Sequence, residues 1–117
     1  MELVAFIGND KENWGQIVAL INRAEWDKII LVKNKNAENF SASKNCEIIN
    51  VNSDKPLVEL KREIMEKLKE KLGGFEAALS IASGNGKEHM ALISALLSIP
   101  VGIRLVVFTK EGIEFVN

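Results

Sequence analysis

The stretch ALSIASGNGKEHMALISALL, residues 78–97, joins an apolar run to a glycine turn and then to an apolar helical segment. The run breaks at Ser83-Gly84-Asn85-Gly86, and Lys87 follows at once. A short buried strand that passes through a turn into a helix is typical of the βα units of α/β proteins. The stretch therefore predicts an α/β fold, and its turn is either a ligand cradle or only a corner between two elements.

The same alternation continues along the whole chain. Helices are predicted over residues 11–24, 55–72 and 86–98. Strands are predicted over residues 3–7, 28–33, 46–51, 76–82, 103–108 and 113–116. Lys110-Glu111-Gly112 lies between the last two strands and favours a hairpin. The sequence thus predicts a Rossmann-like three-layer α/β sandwich, with a mostly parallel six-stranded sheet and a C-terminal antiparallel hairpin.

One long polar connection, residues 34–45, separates the second and third predicted strands, and Phe40 is its only large apolar residue. Connections of this length in compact domains are often functional, so this one is a candidate lid over a site. The alternative is an ordinary surface loop, and this is the favoured interpretation.

Length and composition limit the possible functions. The 117 residues form one predicted domain, 1–117, and the net charge is −1. Because acidic and basic residues are nearly equal in number, the chain has no overall positive charge that would favour direct binding to duplex DNA. One cysteine, Cys46, and one histidine, His89, cannot build a disulfide framework or a zinc site within one chain, and we expect no metal and no cofactor.

No segment has the composition of a targeting or membrane-spanning sequence. The apolar run at Leu3–Ile7 is too short for the core of a signal peptide, and no run approaches the ~18 apolar residues of a membrane span. We therefore expect a cytoplasmic protein that does not enter a membrane.

Two turns are predicted to meet where a ligand could bind. The first turn, Gly8-Asn9-Asp10, follows strand one, and the glycine turn, residues 83–88, follows strand four. In open α/β sheets ligands bind beyond the carboxyl ends of the strands, where the strand order reverses. A Rossmann-like order makes strands one and four neighbours, so we expect the two turns to face each other.

The glycine turn has the parts of an anion cradle: two glycines, a helix N-terminus and Lys87. A cation in the opening turn of a helix interacts unfavourably with the helix dipole, at a cost of about 0.3–1 kcal/mol. A bound anion would reverse that penalty. The alternative is structural, because Asn85 and Glu88 have the spacing of a capping box that needs no ligand. The residues alone do not favour one interpretation over the other.

Several familiar sites are excluded by named residues. Ile81 and Glu88 stand where a Walker A loop needs glycine and Ser or Thr, and His89 stands at the third glycine of a dinucleotide motif. His89 lies about 200° around the helix from Lys87, so both cannot easily reach one phosphate. Ser83 has no partners for a catalytic triad, and Cys46 is expected to be inert.

The last predicted helix is apolar nearly all round, with Ser94 and Ser98 as its polar exceptions after His89. One face of such a helix packs on the sheet, and the other needs a second apolar surface. A twofold homodimer with this helix at the interface is the simplest prediction.

The first turn, the segment SIASGNGKEHMALISALL and the closing hairpin together resemble the CARF domain, the Rossmann-like sensor module of CRISPR-associated proteins. Ser83, Gly84 and Lys87 match the family motif Thr/Ser-Gly-Gly-Thr-Lys, while Asn85 and Gly86 replace its second glycine and its threonine. The resemblance implies a stand-alone sensor in antiviral signalling: a homodimer that binds a cyclic oligoadenylate or a related nucleotide across its twofold axis.

The resemblance also assigns roles to the two turns. It implies that both turns of each subunit line the pocket. The implied ligand-binding residues are Gly8, Asn9, Asp10, Ser83, Gly84, Asn85, Gly86 and Lys87. One alternative is a metal-independent ring nuclease, in which Lys87 is catalytic and stabilises developing phosphate charge. Another is a structural or interaction domain that keeps the fold without a ligand.

Overall fold

The computed structural model describes residues 1–37, 39–42 and 44–117. The strands are β1 (Glu2–Ile7), β2 (Ile29–Asn34), β3 (Glu47–Val51), β4 (Glu76–Ser80), β5 (Gly102–Thr109) and β6 (Gly112–Phe115). The α-helices are α1 (Trp14–Arg23), α2 (Leu57–Lys69) and α3 (Gly86–Leu97), and one 3-10 turn covers Lys11–Asn13.

The six strands form a sheet in the order β3-β2-β1-β4-β5-β6. The first five are parallel, and β6 pairs with β5 in antiparallel orientation. The strand order reverses at β1 and β4, where Ala5 is in register with Leu31 on one side and Ser80 on the other. The predicted fold, a mostly parallel sheet closed by a C-terminal hairpin, is confirmed.

The central strand β1 is buried along its whole length, as a parallel strand covered on both faces should be. Val4 and Phe6 face α2 and α3, whereas Leu3, Ala5 and Ile7 face α1. Alternate residues of the strand point to opposite faces, so each face receives its own core. This arrangement gives the three layers of the sandwich.

Helix α2 buries an apolar stripe, as its sequence spacing indicates, but it is shorter than predicted. Leu60, Ile64 and Leu68 are fully buried at spacings of four. Pro56 has an extended ψ of 148° and precedes the helix, which begins at Leu57 and ends at Lys69. The predicted range of 55–72 therefore included residues beyond both ends.

The first predicted helix divides into two parts. Residues 11–13 form a 3-10 turn, in which the Asn13 amide donates to the Asp10 carbonyl oxygen at 2.9 Å, and α1 begins only at Trp14. The tighter turn follows directly on Asp10, so this aspartate lies at the junction between the first turn and the helix.

The connection after β2 packs on the α1 face of the sheet. Phe40 meets the edge of Trp14, with ring centroids 5.4 Å apart and planes at 85°. Trp14 in turn donates its indole N–H to the Gly8 carbonyl oxygen at 2.9 Å. Residues 38 and 43 of the candidate lid lie outside the described residues. Phe40 thus packs on Trp14, whose indole is hydrogen-bonded to the first turn.

Candidate functional site

The two predicted turns meet directly at the carboxyl ends of β1 and β4. The Gly8 amide donates to the Ser83 hydroxyl at 2.9 Å. A side chain at Gly8 would place its Cβ 2.7 Å from the Gly84 Cα, closer than any real contact of that kind. The sequence prediction that these turns lie together is correct, but the backbones touch and leave no crevice between them at this point.

Asp10 closes the junction from the side of the first turn. Its Oδ1 accepts hydrogen bonds from the Ser83 hydroxyl at 2.7 Å and the Gly84 amide at 2.9 Å. Its Oδ2 accepts from the Asn13 side-chain amide at 2.7 Å. Desolvation opposes ionisation, but the hydrogen bonds from Asn13, Ser83 and Gly84 outweigh it and hold the pKa of Asp10 below its ordinary value.

Ser83 is fully buried, and its hydroxyl accepts from the Gly8 amide and donates to the Asp10 carboxylate, both in the first turn. The short side chain of Ser83 therefore links the ends of β1 and β4 rather than facing solvent. Any ligand contact with Ser83 therefore requires these bonds to open.

Gly84 has a backbone conformation that only glycine adopts easily, with φ of +106°. A Cβ there would lie 3.0 Å from the Phe6 ring, 3.1 Å from His89 Nε2 and 3.2 Å from Glu88 Oε1. The first glycine of the turn is thus required by the fold. Gly86, by contrast, has nothing within 4 Å of an added Cβ.

The predicted capping box is present at the start of α3. The Asn85 side chain accepts from the Glu88 amide, and Glu88 Oε1 accepts from the Asn85 amide, both at 2.9 Å. Glu88 is only 2% exposed. The predicted capping box is confirmed, and it satisfies the amides of Asn85 and Glu88 without a ligand.

Lys87 points away from the first turn, which differs from the expectation that both turns line one pocket. It is exposed, and its ammonium donates to the Ser53 carbonyl oxygen at 2.8 Å, on the connection between β3 and α2. The Ser53 hydroxyl donates to Glu88 Oε2, so the first turn of α3 holds this connection at two points. The direction of Lys87 follows from its place on the helix, one residue before the inward-facing Glu88.

His89 points the other way. Its Nε2 lies 2.7 Å from the Ser83 carbonyl oxygen, which can only accept, so this nitrogen carries the proton. Lys87 and His89 therefore contact different loops, as their angular separation predicted.

A hollow of about 160 Å³ lies beside the junction of the turns. The residues that line it are Asn9, Asp10, Asn34, Gly84, Asn85 and Glu88. Asn34 donates to the Asn9 side-chain oxygen at 3.4 Å and forms part of its floor. The charged groups in this lining are carboxylates, and none is a cation. Asn34 and Glu88 are lining residues that the sequence analysis missed, because Asn34 ends a different strand and Glu88 was assigned only to capping.

The outer face of α3 carries an exposed apolar groove, here called the α3 strip. It has a volume of about 410 Å³ and is lined by Gly86, His89, Met90, Ile93, Ser94 and Leu97. Met90 is 59% exposed and Leu97 72% exposed. The strip begins at the glycine turn itself, so the apolar face and the turn share Gly86.

A larger groove, of about 480 Å³, lies at the opposite, amino end of the sheet. There the carboxylate of Glu2 is buried and accepts hydrogen bonds from the amides of Gly73 and Gly74. This arrangement fastens the end of the α2 connection to β1. It gives Glu2 a structural role that the sequence analysis did not predict.

Residues 1–37, 39–42 and 44–117 contain no group of three or more His, Cys, Asp or Glu placed to hold a metal ion. Burial raises the pKa of the Cys46 thiol, which keeps it protonated, and its Sγ donates to the Lys44 carbonyl oxygen. Within the same residues, no helix is long and apolar enough to cross a membrane.

No family model matches the chain, and no curated protein matches it. Functional interpretation therefore rests on the geometry of the two turns and the α3 strip.

Proposed function

We propose that this protein is a CARF-like sensor domain that binds a cyclic oligoadenylate or a related nucleotide across a homodimer. The observation that carries the proposal is the α3 strip, an exposed apolar face that begins at the glycine turn. In the proposed dimer the twofold axis passes at the amino end of this strip, close to Gly86, and so brings the glycine turns of two subunits side by side. The groove is open to one side in a single subunit, and the proposed dimer would enclose it between the two turns.

Lys87, rather than the carboxylate-lined hollow beside Gly84, supports a ligand shared between subunits. Each subunit contributes one exposed ammonium, Lys87, at the edge of the α3 strip. Lys87 is held by a single surface carbonyl, which it can exchange for a phosphate oxygen at little cost. A ring with several phosphates matches two such lysines better than a single phosphate does, because each lysine then binds its own phosphate.

Calorimetry with cyclic tetra-adenylate and cyclic hexa-adenylate tests the proposal. We expect one ring to bind per dimer, and Lys87→Ala to weaken its affinity by about tenfold or more, since a charge-assisted hydrogen bond contributes about 1.5–3 kcal/mol. Lys69→Ala, an exposed lysine of α2, is the matched control and should leave the affinity unchanged. Absence of binding to both rings at high protein concentration would reject the proposal.

A second candidate function is an interaction domain that dimerises through the α3 strip and has no nucleotide ligand. The complete capping box and the direct contact between Gly8 and Gly84 favour it. The same calorimetry distinguishes the two candidates when combined with a measurement of mass in solution. A dimer that binds neither ring supports the interaction domain.

A further inference from the structure

The C-terminal hairpin leaves an open edge on the sheet. In the described part of the chain β6 pairs with β5 alone, so its other side has no neighbouring strand. The Val116 amide donates to the Leu105 carbonyl oxygen of β5 at 2.9 Å. Backbone groups alternate in direction along a strand, so those of Ile113 and Phe115 point away from β5. These two residues therefore offer an edge at which an extended peptide can pair.

The opposite edge of the sheet, β3, is partly covered. The Val51 carbonyl oxygen accepts from the Lys35 amide at 2.9 Å, so the Asn50 carbonyl points the other way, toward the open side of β3. There it accepts from the Lys67 ammonium of α2 at 3.4 Å. Lysine over an edge hinders pairing with another chain. Among the described residues no hydrogen bond of this kind covers the outward groups of β6, so β6 is the edge suited to binding.

The face of the hairpin that packs toward α1 carries two arginines stacked on aromatic rings. The Arg104 guanidinium lies 4.7 Å from the centre of the Phe115 ring, and the Arg23 guanidinium lies 5.7 Å from that of Phe108. Arg104 donates its Nε–H to the Asn117 carbonyl oxygen, which leaves its terminal N–H groups for a partner. Neither arginine forms an ion pair with an Asp or Glu side chain in the described part of the chain. Stacking holds each planar guanidinium in place while its edge can bind a carboxylate.

A groove of about 370 Å³ extends this face to the tip of the hairpin. The residues that line it are Arg23, Phe108, Lys110, Glu111, Gly112 and Ile113. Glu114 lies on the opposite face, where its carboxylate accepts from the Thr109 hydroxyl. The α1 face of the hairpin thus carries three cations and one acid, although the net charge of the chain is −1.

We propose that β6 binds an extended acidic segment of a partner protein by strand addition. Alternate side chains of an added strand point to one face, so carboxylates two residues apart lie beside Phe115 and Ile113. There they meet the guanidinium groups of Arg104 and Arg23. A second copy of the chain fits this edge poorly, because pairing two β6 strands brings like charges together. The site lies across the sheet from the α3 strip and does not depend on the proposed function.

Hydrogen exchange followed by NMR tests the proposal with a synthetic peptide. The probe is a peptide of about ten residues in which valine and glutamate alternate, and the same peptide with lysine in place of glutamate is the control for charge. We expect the acidic peptide to slow exchange of the Ile113 and Phe115 amides by about tenfold or more. The Val116 amide, already bonded within the hairpin, should change little. The lysine peptide should protect none of them.

Variants separate the contribution of charge from that of the edge. Arg23→Ala and Arg104→Ala should each raise the Kd of the acidic peptide about twofold to fivefold, as expected for exposed ion pairs. Arg62→Ala removes an exposed arginine of α2 and is the matched control, with an unchanged Kd. Phe115→Pro removes an outward N–H but no hydrogen bond to β5, so we expect the hairpin to persist and the Kd to rise about tenfold. If Phe115→Pro fails to fold, the two arginine variants decide the result.

Three outcomes would overturn the inference. The first is no protection of Ile113 and Phe115 at high peptide concentration, and the second is an unchanged Kd in both arginine variants. The third is a mass that rises with protein concentration and falls to that of a monomer in Phe115→Pro, which assigns this edge to a second copy of the chain. Binding of oligothymidylate that displaces the acidic peptide without protecting the edge amides would also reject strand addition, in favour of single-stranded nucleic acid.

Discussion

At the scale of single residues, the contact between the two turns depends on two glycines that leave no room for a side chain. Gly8 is excluded from bearing a side chain by the Gly84 backbone, and Gly84 by its own φ of +106° and by the Phe6 ring. Asp10 Oδ1 accepts two charge-assisted hydrogen bonds, from the Ser83 hydroxyl and the Gly84 amide, and so ties the first turn to the glycine turn. A turn that looked like an open glycine cradle is therefore a tightly packed contact.

Gly84→Ala is expected to destabilise the fold by about 1–3 kcal/mol, since alanine is strained at positive φ and its Cβ lies too close to Phe6. Urea denaturation measures the loss. The matched control is Gly86→Ala, where an added Cβ meets nothing and helix propensity improves by up to about 1 kcal/mol. Equal stabilities for the two variants would contradict this account of the turn.

Asp10 should also set part of the acid sensitivity of the fold. Its pKa is below the ordinary value of 3.8, so its ionised form stabilises the folded state above that pH, and this contribution is lost as the pH falls through the folded pKa. The free energy of unfolding of Asp10→Asn should therefore fall less on acidification below about pH 4 than that of the unmodified protein.

Urea denaturation at a series of pH values checks this prediction. Asp54→Asn, at an exposed position, serves as the control. If Asp10→Asn loses stability in acid as steeply as the unmodified protein, the carboxylate is not held as described.

At the scale of elements, α3 combines a capped N-terminus with an apolar outer face that no other element covers. Asn85 and Glu88 bind each other's backbone amides in the capping box, and Lys87 and Glu88 both form hydrogen bonds with Ser53. The helix is therefore fixed to the connection ahead of α2 at the same end where it meets the glycine turn. Movement in that turn is coupled by contact to the start of α2, on the same face of the sheet.

Asn85→Ala should cost about 0.5–2 kcal/mol of unfolding free energy, because it leaves the Glu88 amide without its acceptor. Ser94→Ala, further along α3, is the control and should stay within about 0.5 kcal/mol of the unmodified protein. Thermal or urea unfolding followed by circular dichroism compares the two. A neutral Asn85→Ala would show that the capping box contributes little.

At the scale of the whole molecule, the sheet separates two cores. Leu60, Ile64 and Leu68 of α2 pack with α3 on one face, whereas α1 and Phe40 cover the other. The outward surface of α3 remains apolar, with Met90 and Leu97 both more than half exposed. A second copy of the chain is the occupant that the proposed function requires for this surface.

Leu97→Lys should convert the expected dimer to a monomer, because it places a charge in the α3 strip. Lysine in the last turn of a helix is favourable for the helix itself, so the fold should persist. Sedimentation equilibrium measures the mass, and Val58→Lys, at an exposed apolar position of α2, is the control. A monomeric unmodified protein at high concentration would contradict the dimer.

Much of this architecture could be predicted from local pattern. The continuous apolar run of β1, the spacing of four in α2 and the hairpin at Lys110-Glu111-Gly112 each indicate their element because burial and turn geometry act over a few residues. The Asn85 and Glu88 capping box was predictable for the same reason. Helix ends were less predictable, as the 3-10 turn before Trp14 shows, since they depend on individual hydrogen bonds.

The sequence by itself determined the elements, their order and the meeting of the two turns, because these follow from hydrophobic period and from the topology of parallel sheets. Only the tertiary structure decided what happens where the turns meet. Asp10 reaches Gly84 and Lys87 reaches Ser53 across 74 and 34 residues of sequence, and side-chain direction over such separations is fixed by packing. A glycine turn that is open to a ligand and one that is closed by Asp10 have the same local sequence pattern. They differ in whether a distant side chain of the same chain binds the Gly84 amide.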